Sequence, residues 1–256
     1  MTSSGPARGG GVVVSFGAGV NSTALLVGLY ERGERPDRIL FADTGGEHER
    51  TYAHAAELQT WCADVGFPDI EIVSNAGQHD SLEAECLTNK TLPSKAFGFA
   101  GCSVKWKRQP MDRALRGWRE GERITRLIGI DADEQHRGQI PDTPRFLYRY
   151  PLIEWDWGRD ECVEAIERAG LAVPGKSACW YCPASRKAEV LNLPCDLHAR
   201  AVAMEHNAAP SLGTVKGLGR HWSWEALVSA DRAQLKLFPE MRDEAACGCY
   251  DGEAPQ

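Results

Sequence analysis

Small and hydroxyl-bearing residues follow an apolar run near the start of the chain. After Val12–Val14 come Ser15-Phe16-Gly17-Ala18-Gly19-Val20-Asn21-Ser22-Thr23. This pattern predicts a buried strand, a tight loop and a helix N-terminus, where unpaired amides and the positive end of the helix dipole attract phosphate. The loop lacks the Lys of the common P-loop, and Ser15, Ser22 and Thr23 add hydroxyl donors. The alternative interpretation is a small-residue turn that is needed only for its geometry.

Two cysteines lie at a chelating spacing. Cys179 and Cys182 are separated by two residues, which suits two ligands of one Zn²⁺, two corners of an iron–sulfur cluster, or a redox dithiol. Cys102 is the candidate third ligand. The candidates for the fourth position are Cys195, Cys247, Cys249 or no protein residue. A [4Fe–4S] cluster is the preferred interpretation, because thiolates are soft ligands, and zinc is the alternative.

Basic residues are concentrated between residues 105 and 126, where eight basic residues accompany three acidic ones. Lys105, Lys107 and Arg108 precede Pro110 and are predicted to lie in a loop or at a helix start, where they could neutralise phosphate or sulfate. Arg113, Arg116 and Arg119 are expected to form a solvated helix face. This stretch permits a nucleic-acid partner without requiring one.

Polar residues also follow two further predicted strands. Asp43 ends an apolar run and could accept from a ribose hydroxyl or hold Mg²⁺ through water, whereas the alternative is capping of the following turn. Arg137 is a candidate phosphate clamp, because guanidinium pairs bidentately with phosphate oxygens. Since ligands in parallel sheets bind outside the carboxyl ends of the strands, we expect the loops after Val14, Ala42 and Ile130 to converge.

Apolar runs and helical periodicity alternate through the first two-thirds of the chain. The predicted strands are 12–14, 38–42, 70–73 and 123–130, and the predicted helices are 22–32, 49–65 and a further helix near 196–206. This order predicts an α/β fold with a doubly wound, mostly parallel sheet. We expect a flexible tail over 1–11, a nucleotide-binding domain over 12–175, with an irregular loop at 74–100, and a cysteine-bearing C-terminal elaboration over 176–256.

Composition narrows the function classes. A formal net charge of −7 argues against a general nucleic-acid coat protein, and no apolar run is long enough to span a membrane. Nine cysteines without a secretion signal favour metal, cluster or redox chemistry in the cytoplasm over a disulfide framework. Cys62 and Cys162 lie in helical patterns and are expected to be small buried hydrophobes.

Five segments, in order, resemble the PP-loop ATP pyrophosphatase or adenine nucleotide alpha-hydrolase superfamily, and in particular its phosphoadenylylsulfate (PAPS) reductase-like family. Residues 15–23 are similar to S-x-S-G-G-x-D-S-T, 41–47 to F-x-D-T-G-x-E, 101–115 to C-C-x-x-x-K-x-x-P-x-x-x-A-L, 129–137 to G-x-R-x-x-E/Q-S-x-x-R, and 151–163 to P-L-x-x-W…D-V. The resemblance covers residues 12 to about 185. It implies a nucleotide on residues 15–23, with Asp43, Gly129 and Arg137 beside it, and iron–sulfur ligation by the C-x-x-C pair.

The chain departs from the family pattern at several positions. Gly17, Ala18, Asn21, Gly101 and Asp131 stand where Ser, Gly, Asp, Cys and Arg are usual. The loop residues remain small, so we expect the anion cradle to survive. With Gly101 in place of Cys, the chain lacks one cluster ligand of that pattern. With Asp131 in place of Arg, it lacks the cation that would recognise sulfate or a second phosphate.

The C-terminal tail contains two further candidate catalytic thiols. The reductases of this family carry a catalytic Cys in the sequence E-C-G, and Cys247-Gly248 is similar, with Ala246 in place of the Glu. A thiol at Cys247 or Cys249 could attack the sulfur of a bound sulfonucleotide. The alternative is a cysteine without function in a disordered end.

Three hypotheses follow. The first is an ATP pyrophosphatase-type sulfurtransferase that uses ATP and Mg²⁺ to adenylate an acceptor, such as a nucleobase or nucleic acid, and inserts sulfur with a [4Fe–4S] cluster fed by a sulfur donor protein. The second is a sulfonucleotide reductase that acts on PAPS or adenylylsulfate and releases sulfite. The third is a non-enzymatic, zinc-stabilised nucleotide-binding module.

Overall fold

The computed structural model describes residues 10–75, 77, 79–138 and 140–237. The chain divides into two compact units. The first comprises residues up to 83 together with 101–180, and the second comprises 84–100 together with residues from 181 onward. The second unit thus includes 84–100, which the sequence analysis placed inside the nucleotide-binding domain, and it begins a few residues after the expected boundary.

A five-stranded parallel sheet forms the centre of the first unit. The strands are β1 (Val12–Phe16), β2 (Arg38–Asp43), β3 (Ile70–Ser74), β4 (Ile124–Ile128) and β5 (Phe146–Arg149). Their order is β3-β2-β1-β4-β5, and every neighbouring pair is parallel. The apolar runs form strands because a sheet that is covered on both faces buries nearly continuous apolar sequence. The predicted α/β fold class is confirmed, and β5 is a strand that the sequence analysis missed.

Ten helices lie among the described residues. They are α1 (Val20–Glu31), α2 (Glu49–Asp64), α3 (Leu82–Thr88), α4 (Gly101–Ser103), α5 (Gln109–Ala114), α6 (Pro151–Glu154), α7 (Arg159–Arg168), α8 (Lys187–Leu191), α9 (Cys195–Ala208) and α10 (Trp224–Leu237). Helix α1 begins two residues earlier than predicted, because Gly19 is the last extended residue of the loop. A π-helical turn over Val104–Arg108 joins α4 to α5.

Apolar side chains cover both faces of the sheet, because successive residues of a strand point to opposite sides. Val14 and Phe41 pack on one face together with α1 and α7, whereas Val13 and Leu40 pack on the other face with Met111 of α5. Helices therefore cover both faces, which makes the sheet doubly wound. This arrangement leaves the carboxyl ends of β1, β2 and β4 at one edge, with β1 between the other two.

The second unit is helical in its described part. Helix α9 is the helix predicted near 196–206. The prediction of an irregular loop over 74–100 was wrong at 82–88, where the chain forms α3. The buried Glu205 carboxylate accepts from the amides of Leu218 at 2.7 Å, Trp224 at 2.9 Å and Glu225 at 3.1 Å. Burial raises the pKa of Glu205, and the three N–H donors oppose that rise. No helix in the described part of the chain is both long and apolar enough to cross a membrane.

Candidate nucleotide and sulfur site

The loop between β1 and α1 has the geometry of an anion cradle. Ala18 is buried and adopts a left-handed conformation with φ of 54°, and Gly19 returns to an extended conformation before the helix. The first amides of α1 have no intrahelical partner, as at any helix start. Ser22 Oγ donates to the carbonyl of Gly19 at 3.1 Å and accepts from its amide at 3.2 Å. The hydroxyl of Ser22, one of the predicted phosphate donors, is therefore engaged in capping the first turn of α1.

His54 is a residue of this site that the sequence analysis missed. Its Nε2 lies 2.8 Å from Thr23 Oγ1, and that hydroxyl donates to the carbonyl of Gly19 at 3.0 Å. Both side chains are buried, and burial lowers the pKa of His54 although Glu57 opposes the shift. A neutral imidazole on α2 thus orients the hydroxyl of Thr23. The sequence signal was one His within a helical pattern, which does not identify its partner.

Asn21 and Asp131 join the loop to the end of β4. Asn21 Nδ2 donates to Asp131 Oδ2 at 2.8 Å, and Asp131 Oδ1 accepts from the amide of Glu134 at 3.0 Å. Gly129 lies where a Cβ would come within 2.8 Å of the backbone of Asn21. This close approach explains the glycine at position 129 without any contact to a ligand.

Asp43 holds the turn after β2. Its Oδ1 accepts from the amide of Gly45 at 2.8 Å and from the hydroxyl of Tyr52 at 2.7 Å. Burial, followed by the neighbouring Asp43 carboxylate, raises the pKa of Tyr52, so this phenol stays a donor. Oδ1 of Asp43 therefore caps the turn after β2, as the alternative interpretation of this residue predicted.

Glu47, four residues further on, is a second residue of the site that was missed. Its side chain is fully buried, and Oε1 lies 2.7 Å from Lys107 Nζ and accepts from Thr44 Oγ1 at 3.2 Å. Cys179 Sγ lies 3.1 Å from Thr44 Oγ1 and 3.8 Å from Glu47 Oε1. Oε2 of Glu47 is buried and has no hydrogen-bond partner in the part of the chain that the structure describes. The sequence signal that could have identified Glu47 was the final Glu of the F-x-D-T-G-x-E pattern.

The segment 177–180 runs along both strand-end loops. Glu47 and Cys179 form an antiparallel bridge, and Trp180 donates its amide to the carbonyl of Gly46 at 2.9 Å. Two residues before Cys179, Ser177 lies over the loop between β1 and α1, where a Cβ added at Gly19 would come within 3.2 Å of its Oγ. The first cysteine of the C-x-x-C pair is thus held at the same sheet edge as the loop.

A cavity of about 340 Å³ opens at this edge. Its apolar wall includes Phe16, Phe41 and Tyr148, and its basic residues are Lys107, Arg108 and Arg126. Such a mixture of aromatic surface and a few charged groups is typical of sites for small ligands. Lys107 and Arg108 belong to the π-helical turn that leads into α5, and exposed Lys105 lies in the same turn, which agrees with the predicted helix start.

Arg126 is a buried cation beneath this cavity. The residue is 3% exposed, its guanidinium pairs with Asp112, and it donates to Ser15 Oγ at 3.2 Å. The guanidinium carbon also lies 5.2 Å from the ring centre of Phe146 and 5.9 Å from that of Tyr148. Arg126 therefore fixes the hydroxyl of Ser15 at the start of the loop. Arg137, the predicted clamp, is 58% exposed and pairs with Glu134.

The described cysteines fall into three environments. Cys62 and Cys162 are fully buried, as predicted, and burial raises the pKa of each thiol to about 12. Cys102, Cys179 and Cys182 are half-buried, and Cys195 is exposed at the start of α9. The predicted thiols Cys247 and Cys249 lie outside the described residues. Within residues 10–237, gaps excepted, no three His, Cys, Asp or Glu side chains surround a single metal-ion position.

Among solved structures, the U34-tRNA thiolase NcsA from Methanococcus maripaludis with its [4Fe-4S] cluster is similar to this chain. The two share 17% sequence identity with a TM-score of 0.47, and the similarity covers 88% of this chain and 72% of that chain. No protein-family model and no curated protein matches the sequence. The tRNA substrate and the cluster belong to that thiolase, and the residues described above are what this chain offers for chemistry of its own.

Proposed function

We propose that this chain is a cytoplasmic ATP pyrophosphatase-type sulfurtransferase of the PP-loop superfamily, which adenylates an acceptor and then inserts sulfur. The single observation that carries the proposal is the path of residues 177–180. Ser177 lies against the β1–α1 loop at Gly19, and the backbones of Ala178 and Trp180, on either side of Cys179, are hydrogen-bonded to the loop after β2. A thiol and an anion cradle at one sheet edge support a reaction that couples phosphate chemistry to sulfur chemistry.

The pyrophosphate of ATP would bind on residues 15–23, where the N-terminal amides and the dipole of α1 favour negative charge. The nearby cations assist: Lys107 and Arg108 line the adjoining cavity, and Glu47 holds the Lys107 ammonium in place. The acceptor oxygen attacks the α-phosphorus, the bond to pyrophosphate breaks, and the adenylated acceptor remains. Fixed cations at this position stabilise the charge that develops on the leaving pyrophosphate.

The acceptor that we propose is a nucleobase, either free or within a nucleic acid. The cavity beside the loop presents the rings of Phe16, Phe41 and Tyr148, which suit the flat face of a base. A carbonyl oxygen of the base becomes a good leaving group once it carries AMP. Sulfur then replaces that oxygen, and AMP departs.

We assign a [4Fe–4S] cluster to the thiols of Cys102, Cys179 and Cys182, with zinc as the alternative, because thiolates are soft ligands that suit iron–sulfur ligation. Half-buried thiolates at C-x-x-C spacing are suitable cluster ligands, and Cys195 is our candidate for the fourth position. When bound, the cluster would supply the sulfide that displaces AMP, and a sulfur donor protein would renew that sulfide.

Anaerobic purification followed by metal analysis tests the cofactor. We expect about four irons per chain, as a [4Fe–4S] cluster requires, and loss of that iron in Cys179→Ala. The matched control is Cys162→Ala, a buried cysteine of the core, which should keep its iron. Stoichiometric zinc without iron would instead favour the nucleotide-binding module.

Product analysis tests the reaction. The anaerobic protein, given ATP, sulfide and free nucleobases or an RNA pool, should release pyrophosphate and AMP in equal amounts and form thiolated base. No release of either product would contradict the sulfurtransferase. Sulfite release from PAPS or adenylylsulfate, abolished when Cys247 and Cys249 are both replaced, would favour the reductase.

A further inference from the structure

Two segments of the second unit form a surface without acidic residues. Residues 86–100 and 206–224 contain no Asp or Glu. Their Lys and Arg residues, all exposed, are Lys90, Lys95, Lys216 and Arg220. The two segments lie side by side, because Asn207 Nδ2 donates to the carbonyl of Leu87 at 2.7 Å. In a chain with a formal net charge of −7, this surface is suited to an anionic partner.

Phe99 is an aromatic residue on this surface, and it is 59% exposed. It follows a 3₁₀ turn over Ser94–Phe97 and Gly98, which ends that turn with a φ of 96°. A Cβ added at Gly98 would come within 2.7 Å of Arg220 Nη1 and 3.1 Å of Nη2. The guanidinium of Arg220 therefore lies against the backbone next to Phe99, in space that a glycine leaves open.

The turn that carries Arg220 is held by hydrogen bonds within the second unit. Arg220 has a φ of 64°, a left-handed conformation that few residues other than glycine adopt. Its carbonyl accepts from the amide of Lys216 at 2.8 Å, and its amide donates to the carbonyl of Gly217 at 2.9 Å. The buried carboxylate of Glu205 holds the same turn through the amide of Leu218 at 2.7 Å. The backbone beneath the guanidinium is thus ordered before a partner binds, which lowers the entropic cost of binding.

An exposed ring beside a planar guanidinium suits the face of an unpaired base. Proteins bind single-stranded RNA mainly by stacking its unpaired bases on aromatic rings and on arginine planes. Because both segments lack Asp and Glu, they do not repel the phosphates of such a strand. Their lysines can also donate to the 2′-hydroxyl, which DNA lacks. An acidic peptide would use the charges but not the ring.

We propose that Phe99 and Arg220 together form a stacking platform for one unpaired base of an RNA acceptor. This inference rests on the proposed function and decides between its two forms of acceptor, a free nucleobase and a base within a nucleic acid. The platform meets the face of a base, which every base has, so it supplies affinity rather than sequence choice.

Fluorescence anisotropy with a labelled single-stranded RNA of about twelve nucleotides, at one fixed salt concentration, tests the platform. Phe99→Ala should bind this RNA at least about fivefold more weakly than wild type, because it loses one stacked base. Phe99→Trp should bind as tightly as wild type, because it keeps an aromatic face. The matched control is Leu87→Ala, which removes an exposed apolar side chain of the same unit and should leave the affinity unchanged.

Two variants of Arg220 separate stacking from charge. Arg220→Gly removes the guanidinium at a φ of 64° that glycine adopts freely, so the turn should remain folded. We expect this variant to lose at least about threefold in RNA affinity. Arg220→Lys keeps the positive charge but has no planar group, so it should not restore the affinity. Wild-type affinity in Arg220→Lys would overturn the stacking role of the guanidinium.

Competition tests the nature of the partner. Duplex RNA of the same sequence and a polyglutamate peptide should each displace the labelled strand at least about tenfold less well than unlabelled single-stranded RNA, since neither offers an unpaired base. Equal competition by the peptide would overturn RNA in favour of an acidic protein partner. Equal affinity for single-stranded DNA would overturn the choice of RNA, because DNA lacks the 2′-hydroxyl.

The outcomes also separate the inference from the proposed function. RNA binding that persists unchanged in Phe99→Ala overturns the platform and leaves the sulfurtransferase intact. Thiolation of a free nucleobase by a protein that binds no RNA has the same consequence. RNA binding that depends on Phe99, in a protein that releases neither pyrophosphate nor AMP, overturns the proposed function and leaves the base-binding surface.

Discussion

The ion pair between Lys107 and Glu47 is asymmetric, because the Glu47 side chain is fully buried whereas that of Lys107 is 35% exposed. Lys107→Met should therefore destabilise the protein by about 3 kcal/mol, since it leaves a buried carboxylate without its cation. Glu47→Gln should cost less than about 1 kcal/mol, because water can solvate the remaining ammonium. Urea unfolding at pH 7.5 measures both, and equal losses would contradict the asymmetry.

His54 makes stability depend on pH. Burial lowers its pKa in the folded state from the ordinary 6.5, so below that value the unfolded chain binds a proton that the folded chain resists. Stability should therefore fall as the pH drops from 7.5 to 5.5. His54→Gln should lose less stability over the same interval, because its amide does not titrate. Identical pH dependence of urea unfolding in the two proteins would exclude this role for His54.

The sequence predicted single residues of the site better than their partners. Residues 15–23 were recognised as a phosphate loop, and the substitutions at positions 21 and 131 were recognised separately. Their pairing across 110 residues requires β4 to lie beside β1, which no local pattern states. The sequence analysis missed Glu47 and His54 for the same reason. Glu47 contacts Lys107 and His54 contacts Thr23 only once the chain is folded.

At the scale of elements, Gly129 sets the distance between the end of β4 and the start of α1. A Cβ at this position would meet the backbone of Asn21 at 2.8 Å, so Gly129→Ala must displace the helix N-terminus. We expect a cost of about 1–3 kcal/mol from overpacking. We also expect at least a tenfold loss of ATP affinity, because the amides of α1 no longer converge.

Gly33→Ala is the control for Gly129→Ala, since it lies just beyond the other end of α1. Its Cβ would meet nothing within 4 Å, but its φ of 67° should cost roughly 1 kcal/mol through backbone strain. ATP titration should then show unchanged affinity despite reduced stability. Equal affinity losses in the two variants would mean that global destabilisation, rather than loop geometry, controls nucleotide binding.

Long apolar elements were predictable and short ones were not. Strands β1, β2 and β4 form from apolar runs that can only be buried, and α1 and α2 show the corresponding periodicity or apolar length. Strand β5 has four half-buried residues, and its pattern Phe-Leu-Tyr-Arg carries no clear alternation. Its position depends on pairing with β4, so the sequence alone gave no signal for it.

At the scale of the whole molecule, the basic stretch over 105–126 is partly neutralised by the fold. At least four of its eight basic residues take part in ion pairs with carboxylates, namely Lys107 with Glu47, Arg119 with Asp37, Arg123 with Asp142 and Arg126 with Asp112. The chain as a whole carries a formal charge of −7. Binding to an RNA acceptor should therefore depend more on contacts to one base than on the phosphate backbone.

This charge balance predicts a shallow salt dependence for RNA binding. If Arg108, Arg113 and Arg116 contact phosphates, the logarithm of the binding constant should fall with that of salt concentration with a slope of about −2, against almost −6 for all eight basic residues. Arg116→Ala should reduce the slope by about 0.7, because each lost phosphate contact releases one fewer counterion. Its matched control, Arg119→Ala, removes an arginine that is already paired with Asp37 and should leave the slope unchanged. Fluorescence anisotropy with a labelled RNA over about 50–300 mM salt measures the slopes of wild type, Arg116→Ala and Arg119→Ala. A wild-type slope near −6 would contradict the prediction, because it would mean that RNA phosphates replace the carboxylates as partners of the paired basic residues.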